Sequence, residues 1–499
     1  MKKRKSIAII IAFLMLFSVL AVGCQPQTPD TVPQTNNTEA INTANVTTGS
    51  NEPQLKVSEG VDFGGEDFVI LVPKSSGWSI YNDFTPTEGS VDDSITNANY
   101  TRKEKLKSLY NVNITEVIAG NTVAADARAD ISSNNGTYDA IHIELDQVAP
   151  LAQEGFFIDL ASLNSMELSN PWYTQSFVDQ MSIANKLFFV LGDISTVDND
   201  GIAAVMFNKG MVEDTGLESP YDHVRDNTWT IDTMYDMCKG AYKDLNDDGK
   251  GTGKDQWGYL TAYSSIVFQL ASCGVHICEK DENDIPNLTA YSAKNTEIID
   301  KVLEFYNDKT TTIHLDQIPT SECGGVSVYE YGNTMFMENR IMFRQTAMVR
   351  IIQCRVMEEE FGILPYPKYD SEQENYAHGF SYSTPVIAIP RYSEDAEAAG
   401  AVIEALSYYG RTLVRPEYYN RVLKGVVARD EESQFCLDII FDTAFYDLGL
   451  VLDIGDLDTK LTAMVSKGTN TFASDYAAVE ESAKTQLQKY IDNYESIIN

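Results

Sequence analysis

Basic residues are scarce in this 499-residue sequence, which contains 37 Lys and Arg against 73 Asp and Glu and has a formal net charge of −36 at pH 7. A surface of that charge repels the phosphate backbone of nucleic acids, so we expect no nucleic-acid partner. Long apolar runs are scarce as well. After residue 24 no stretch approaches the roughly 18 apolar residues of a membrane-spanning helix.

Paired cysteines and catalytic motifs are also missing. Six cysteines follow Cys24 and none forms a CxxC pair, which excludes the usual zinc-binding pattern. Cys273 and Cys278 either form a disulfide or are two buried thiols. The sequence contains no GxSxG or HExxH motif. A carboxylate pair for glycoside hydrolysis is an open alternative, but no spacing nominates one. We therefore expect a protein that is not an enzyme.

The first 24 residues combine a basic start, an apolar run and a cysteine. Residues 2–5 are all Lys or Arg, residues 7–20 are apolar except for Ser18, and Ala21-Val22-Gly23 precedes Cys24. This pattern resembles a bacterial lipoprotein signal peptide, residues 1–23, with Cys24 as the lipidated residue; Ala21 stands where Leu is commoner. The alternative is an ordinary secretory signal or an uncleaved anchor. We expect a lipid-anchored protein on the extracellular face of the cell membrane.

A polar tether and an alternating α/β body follow. Residues 24–60 are rich in Thr, Asn, Gln and Pro, which predicts disorder. Beyond them, the continuous apolar run 68–72 predicts a buried strand, and the segments 112–118 and 138–145 predict two more, with helices between them. The apolar segment 186–191 predicts a further strand. Alternation of this kind indicates βαβ units and a parallel sheet, which binds ligands outside the carboxyl ends of its strands.

A polar segment between residues 244 and 255 has the spacing of an EF-type calcium loop. Asp244, Asn246, Asp248, Lys250, Thr252 and Asp255 occupy its ligand positions, Lys250 through its backbone carbonyl, and Gly249 stands at the sharp turn. Asp255 is shorter than the usual Glu, and the residues after it read as a strand. We predict a structural Ca²⁺ site; the alternative is a turn closed by its own Asx hydrogen bonds.

A series of short motifs, weak singly but ordered together, covers residues 63 to about 452. They include Tyr138-Asp139-Ala140, Asn170-Pro171-Trp172, Gly192-Asp193-Ile194-Ser195, Trp229-Thr230-Ile231-Asp232 and Phe361-Gly362-Ile363-Leu364-Pro365. In this series the chain resembles the extracellular solute-binding proteins of ABC importers, the family of the maltose-binding-like carbohydrate receptors. The resemblance implies a monomer that captures an oligosaccharide and passes it to an ABC permease. A sensor that feeds a signalling receptor is an alternative that the sequence does not separate from import.

The same resemblance implies an α/β fold of two lobes that close like a clamshell, each lobe a mostly parallel sheet flanked by helices. We assign residues 61–187 and about 345–400 to lobe 1, and residues 188–344 and about 401–499 to lobe 2. Two or three crossing segments would join the lobes, which close on a ligand held in the cleft between them.

Sugar recognition needs hydrogen-bonding side chains for the hydroxyls and aromatic rings for the ring faces. Seven residues on loops that we expect to face the cleft have this chemistry: Trp78, Tyr81, Asn82, Asp146, Trp172, Asp193 and Tyr382. Each has a simpler alternative. Trp172 sits beside Pro171 and suits packing, Asp193 suits the cap of a turn, and the other side chains suit local contacts within their loops.

Overall fold

A computed structural model describes residues 53–74, 83–86, 94–427 and 430–497. The signal segment, Cys24 and most of the tether lie outside the described residues, and so do the candidate residues Trp78, Tyr81 and Asn82.

The strands and helices are numbered in chain order. The strands are β1 (Asp67–Val72), β2 (Asn113–Ile118), β3 (Ala140–Glu144), β4 (Ala203–Asn208), β5 (Trp257–Thr261), β6 (Cys278–Lys280), β7 (Pro286–Leu288), β8 (Thr312–His314), β9 (Ile341–Ala347), β10 (Phe361–Leu364) and β11 (Pro385–Ala388). The helices are α1 (Ser94–Tyr110), α2 (Val123–Ser133), α3 (Leu145–Gln153), α4 (Gln175–Met181), α5 (Val197–Asp200), α6 (Lys209–Thr215), α7 (Pro220–Arg225), α8 (Ile231–Cys238), α9 (Ile266–Ser272), α10 (Ala293–Asn307), α11 (Val328–Met337), α12 (Met348–Gln353), α13 (Ala396–Tyr409), α14 (Glu431–Asp442), α15 (Leu448–Val451), α16 (Leu457–Lys467) and α17 (Phe472–Ser496). The wider turns of a π-helix occupy Gly410–Val414 and Glu417–Val427.

The first sheet has the strand order β11-β3-β1-β2. Strand β1 pairs in parallel with β2 and β3, and β11 is antiparallel to β3. Its three parallel strands match the segments 68–72, 112–118 and 138–145 that the sequence predicts as strands. Phe68, Ile70 and Leu71 of β1 are fully buried, as its apolar run predicts. The Thr122 side chain caps α2 by accepting from the backbone N–H of Ala125 at 3.2 Å.

The second sheet has the strand order β10-β4-β9-β5-β8 and is mixed. Strand β5 is parallel to β8 and β9, whereas β4 is antiparallel to β9 and β10. A small third sheet pairs β6 with β7 in antiparallel orientation. The protein therefore has the predicted α/β class with one large sheet in each lobe, but only the first of these two sheets is mostly parallel. After β9, the short helix α12 leads the chain back across β4, and β10 then pairs with the free edge of β4. Strand β10 therefore belongs to the second sheet, although its residues fall within the range that the sequence assigns to lobe 1.

Three described segments run side by side between the two sheets: residues 193–202, 378–384 and 443–446. The N–H of Ser381 donates to the carbonyl of Gly201 at 3.1 Å, and the N–H of Phe445 donates to the carbonyl of His378 at 2.8 Å. Gly201 is required at this crossing, because a Cβ there would lie 2.1 Å from Thr384 Oγ1. These hydrogen bonds join the three connections into one unit between the two sheets.

The apolar segment 186–191, which the sequence predicts as a strand, forms no strand in the described structure. Val190 exchanges two backbone hydrogen bonds with Ile387 of β11, at 2.9 and 3.0 Å, but the pairing stops at that single bridge. The backbone N–H of Leu187 donates to the carboxylate of Asp159 at 3.0 Å instead of to a strand. The segment is buried, so its apolar character records burial without sheet pairing.

All six cysteines of the described chain are buried and unbridged, so Cys273 and Cys278 form no disulfide. Among the described residues, no helix combines the length and the hydropathy that crossing a bilayer requires.

Candidate functional site

A cavity of about 1160 Å³ lies between the two sheets at the ends of their strands. Its second-sheet wall includes Ala262 after β5, Leu315 after β8, and Gln345, Thr346 and Ala347 at the end of β9. Its first-sheet wall includes Asp146 at the start of α3 and Ser381, Tyr382 and Ser383 before β11. The crossing segment adds Gly201, and α15 and α16 close a further side. This is the edge at which α/β sheets bind ligands.

The structure brings two of the predicted site residues together in this cavity. The backbone N–H of Asp146 donates to the carbonyl of Tyr382 at 2.9 Å. The Tyr382 ring stacks on Phe268 of α9, with centroids 5.7 Å apart and 30° between the planes. The cavity wall therefore offers both an aromatic surface and a carboxylate, the two kinds of group that a sugar ring and its hydroxyls require.

Trp172 and Asp193 come together elsewhere and are not among the residues that line the cavity. The N–H of Asp193 donates to the carbonyl of Trp172 at 2.8 Å. The buried Trp172 ring packs edge-on against Tyr408, with centroids 5.3 Å apart. The Asp193 carboxylate lies 3.3 Å from Arg415 and 3.6 Å from Arg411, and burial raises its pKa while the two guanidinium groups oppose that rise. In this arrangement both side chains hold the fold.

Acidic side chains outnumber basic ones in the cavity wall. The acids are Asp146, Glu330, Asp453, Asp456 and Asp458, and the base is Arg350. Glu330 is engaged in a capping box with Ser327 at the start of α11. The three Asp residues near the start of α16 hold carboxylate oxygens within 4.8 Å of one another. Burial, with the charges of Asp458 and Asp456, raises the pKa of Asp453. The wall therefore disfavours an anionic ligand.

Four further residues line the cavity that local sequence patterns do not single out: Tyr329, Gln345, Arg350 and Tyr366. Tyr329 is 47% exposed, and it lies at the start of α11 where its ring is available to a ligand. Gln345 lies near the end of β9, and Tyr366 follows β10. A weak signal exists for Tyr366 alone, because it comes soon after the apolar segment 361–364 and strand ends present side chains to a ligand.

The segment from Asp244 to Asp255 is a loop held by its own hydrogen bonds. The N–H groups of Gly249, Asp248 and Lys250 donate to the side chains of Asp244, Asn246 and Asp248 at 2.8 to 3.0 Å. Both oxygens of the buried Asp255 carboxylate also accept, from Leu245 and Thr252.

Two observations on this loop bear in opposite directions on whether it can bind Ca²⁺. Asp244 Oδ1 is buried and has no hydrogen-bond partner, which suits a cation ligand. In the described chain, however, the group of acids whose oxygens lie within 4.8 Å of one another is the Asp453 cluster and not this loop. In this conformation the loop has one side-chain oxygen, Asp244 Oδ1, that is free to bind a cation. The other ligand side chains would have to rotate in order to bind the same cation.

Comparison with protein-family models gives no match, and comparison with curated proteins gives none either. Solved structures do match. A sugar transporter from Rhizobium etli in an open conformation has a TM-score of 0.53 at 13% identity and covers 87% of this chain and 100% of its own. A cyclo/maltodextrin-binding protein complexed with maltotetraose has a TM-score of 0.51 at 12% identity, covering 86% and 96%.

An ABC substrate-binding protein from Listeria monocytogenes in complex with cycloalternan has a TM-score of 0.50 at 13% identity, covering 86% of this chain and 98% of its own. These similarities, together with the two sheets and the crossing between them, define the fold. The chain has the two-lobed α/β fold of these substrate-binding and sugar-binding proteins.

Proposed function

We propose that this protein captures an oligosaccharide in the cavity between its two sheets and delivers it, unaltered, to an ABC transporter. The observation that carries the proposal is the composition of the cavity wall, which contains the stacked rings of Phe268 and Tyr382 together with Asp146. The volume of about 1160 Å³ exceeds that of a pocket for a drug-sized molecule, which favours an oligosaccharide over a single sugar. The similar solved structures hold maltotetraose and cycloalternan, which supports a neutral glucose polymer.

We further propose that the protein acts on the extracellular face of the cell membrane, held by lipid on Cys24. The support comes from the sequence, in which a basic start and an apolar run precede Ala21-Val22-Gly23-Cys24. A polar tether after Cys24 would let the folded body approach a permease in the same membrane.

The proposal predicts that sugar binding closes and stabilises the protein. We expect maltotetraose or cycloalternan to raise the melting temperature, to lower the radius of gyration in solution scattering, and to be recovered intact. At 100 times the dissociation constant, the stabilisation is about 2.7 kcal/mol. Tetragalacturonate has a similar length but is anionic, and we expect the acidic wall to reject it.

Matched tyrosine variants locate the binding site. Tyr329→Ala removes an exposed ring from the cavity and should weaken binding by about threefold to tenfold. Tyr291→Ala removes an equally exposed ring that stacks on Tyr476 outside the cavity and should leave binding unchanged. Cleavage of the sugar, or equal effects of both variants, would contradict the proposed function.

We also propose that Ca²⁺ binds the loop from Asp244 to Asp255, with Asp244, Asn246, Asp248 and Asp255 offering side-chain oxygens and Lys250 its backbone carbonyl. The unpartnered Asp244 Oδ1 supports this proposal. We expect CaCl₂ to raise the melting temperature relative to EDTA in the wild type, because a cation that binds only the folded state stabilises it. Asp244→Asn should abolish that difference. An identical melting temperature in CaCl₂ and EDTA would leave the loop as the hydrogen-bonded turn.

A further inference from the structure

A buried polar network surrounds the side chain of Gln345 at the floor of the cavity. Its Oε1 accepts hydrogen bonds from the hydroxyls of Tyr259 at 2.5 Å, Tyr306 at 2.8 Å and Thr261 at 2.8 Å. Its Nε2 donates to the carbonyl of Ser265 at 3.2 Å and to the hydroxyl oxygen of Tyr366. Gln345 is 4% exposed, so these bonds form away from bulk water.

The Ser265 carbonyl determines the orientation of the Gln345 side-chain amide, that is, which side its oxygen and its NH₂ group face. A carbonyl oxygen can only accept, so the amide end that faces Ser265 must be the NH₂ group. Oε1 must then face the three hydroxyls, each of which donates to it. The same orientation requires the Tyr366 hydroxyl oxygen to act as an acceptor, because the NH₂ group has no lone pair to offer.

The hydrogen of the Tyr366 hydroxyl is therefore left over. Within the part of the chain that the structure describes, the bond from Gln345 is the one hydrogen bond that this hydroxyl makes. Tyr366 is fully buried, and it lines the cavity. A buried hydroxyl hydrogen without an acceptor is costly, so its partner should be an oxygen that enters from the cavity.

We propose that the Tyr366 hydroxyl donates a hydrogen bond to an acceptor oxygen of the bound carbohydrate, and that Gln345 is the positioning residue that makes this hydroxyl a donor. The proposal rests on the proposed function and adds a specificity-determining contact to it. The ligand atom at this point must be able to accept: a sugar hydroxyl, a ring or glycosidic oxygen, or the carbonyl of an acetamido group.

Tyr366→Phe tests the contact. We expect its dissociation constant for maltotetraose, measured by calorimetry, to rise about fivefold to tenfold. Its melting temperature without sugar should change little, because the variant removes the costly unpaired hydroxyl hydrogen at the same time as it removes an acceptor of Gln345 Nε2. The matched control is Tyr259→Phe, which removes another hydroxyl of the same network that is not in the cavity wall. The control should lower the melting temperature and keep the affinity within about twofold.

Gln345→Glu separates positioning from mere contact. A carboxylate oxygen in place of Nε2 would accept from Tyr366 and turn its hydrogen away from the cavity, so affinity should fall as in Tyr366→Phe although the hydroxyl is present. If that variant does not fold, Tyr366→Phe decides alone. Unchanged affinity in Tyr366→Phe overturns this inference and leaves the proposed function standing, whereas a wild type that binds no glycan overturns the proposed function itself.

Discussion

Replacing Arg102 with methionine is expected to lower the free energy of unfolding by about 3–5 kcal/mol. Arg102 lies on α1, is 1% exposed, and donates to the carbonyls of Ile194 at 2.7 Å and Asp83 at 2.6 Å. The nearby carboxylates of Asp83 and Asp193 partly compensate the buried guanidinium. Methionine keeps most of the volume but leaves two buried carbonyls without a donor and Asp83 without its counter-charge.

The loss of the Arg102 hydrogen bonds should also affect the crossing between the two sheets, because Ile194 and the residues after it belong to the first crossing segment. The Asp83 carboxylate accepts from Ser195 Oγ and from the N–H of Thr196, both at 2.8 Å, so Arg102 and Asp83 fix that segment together. Urea unfolding measures the effect. The control is Arg128→Met, which breaks a surface ion pair with Glu154 and should cost less than about 1 kcal/mol. Equal losses in the two variants would contradict a structural role for the buried cation.

Local sequence patterns predicted the first sheet well because its three parallel strands are short β-type segments that alternate with helices, and the first of them contains the continuous apolar run 68–72. They predicted the second sheet less well. The order of β4, β9 and β5 depends on pairings between distant segments, such as Ala203 with Ala347, which no local period encodes. The strand predicted at residues 186–191 was wrong for a related reason, because a segment buried in a core and a strand paired in a sheet have the same apolar sequence pattern.

The residues of the candidate site also differ in how far local sequence patterns predict them. Asp146 could be predicted because it directly follows an apolar strand, and strand ends carry ligand sites in α/β folds. Gln345 could not, because its role arises from Tyr259, 86 residues away, and Tyr306, 39 residues away. Trp172 and Asp193 had suitable chemistry at loop positions, but sequence alone does not tell whether a loop faces a cavity or packs on a neighbour, as these two do.

A second large loss of stability is expected for Asp447→Ala, about 3–5 kcal/mol at pH 7.5. The Asp447 carboxylate is 3% exposed and accepts from the backbone N–H groups of Ile277 at 2.6 Å and Gly449 at 2.8 Å, with longer bonds from Cys278 and Leu450 at 3.4 Å. Burial raises its pKa to about 6, so the measurement should be made above that pH, where the carboxylate is ionised. Alanine would leave the N–H groups of Ile277, Cys278 and Gly449 buried without their charged acceptor, whereas the N–H of Leu450 keeps its 3.1 Å bond to the backbone carbonyl of residue 447.

The control for this variant is Asp395→Ala, which removes the exposed N-cap of α13 and its 2.9 Å bond from Ala398 and should cost about 1 kcal/mol. Asp447 differs because it ties the start of α15 to the segment before β6, and α15 carries Leu450 and Val451 into the cavity wall. We therefore expect Asp447→Ala, but not Asp395→Ala, to weaken sugar binding as well. A loss near 1 kcal/mol with full affinity would mean that α15 is held by its apolar packing and not by this carboxylate.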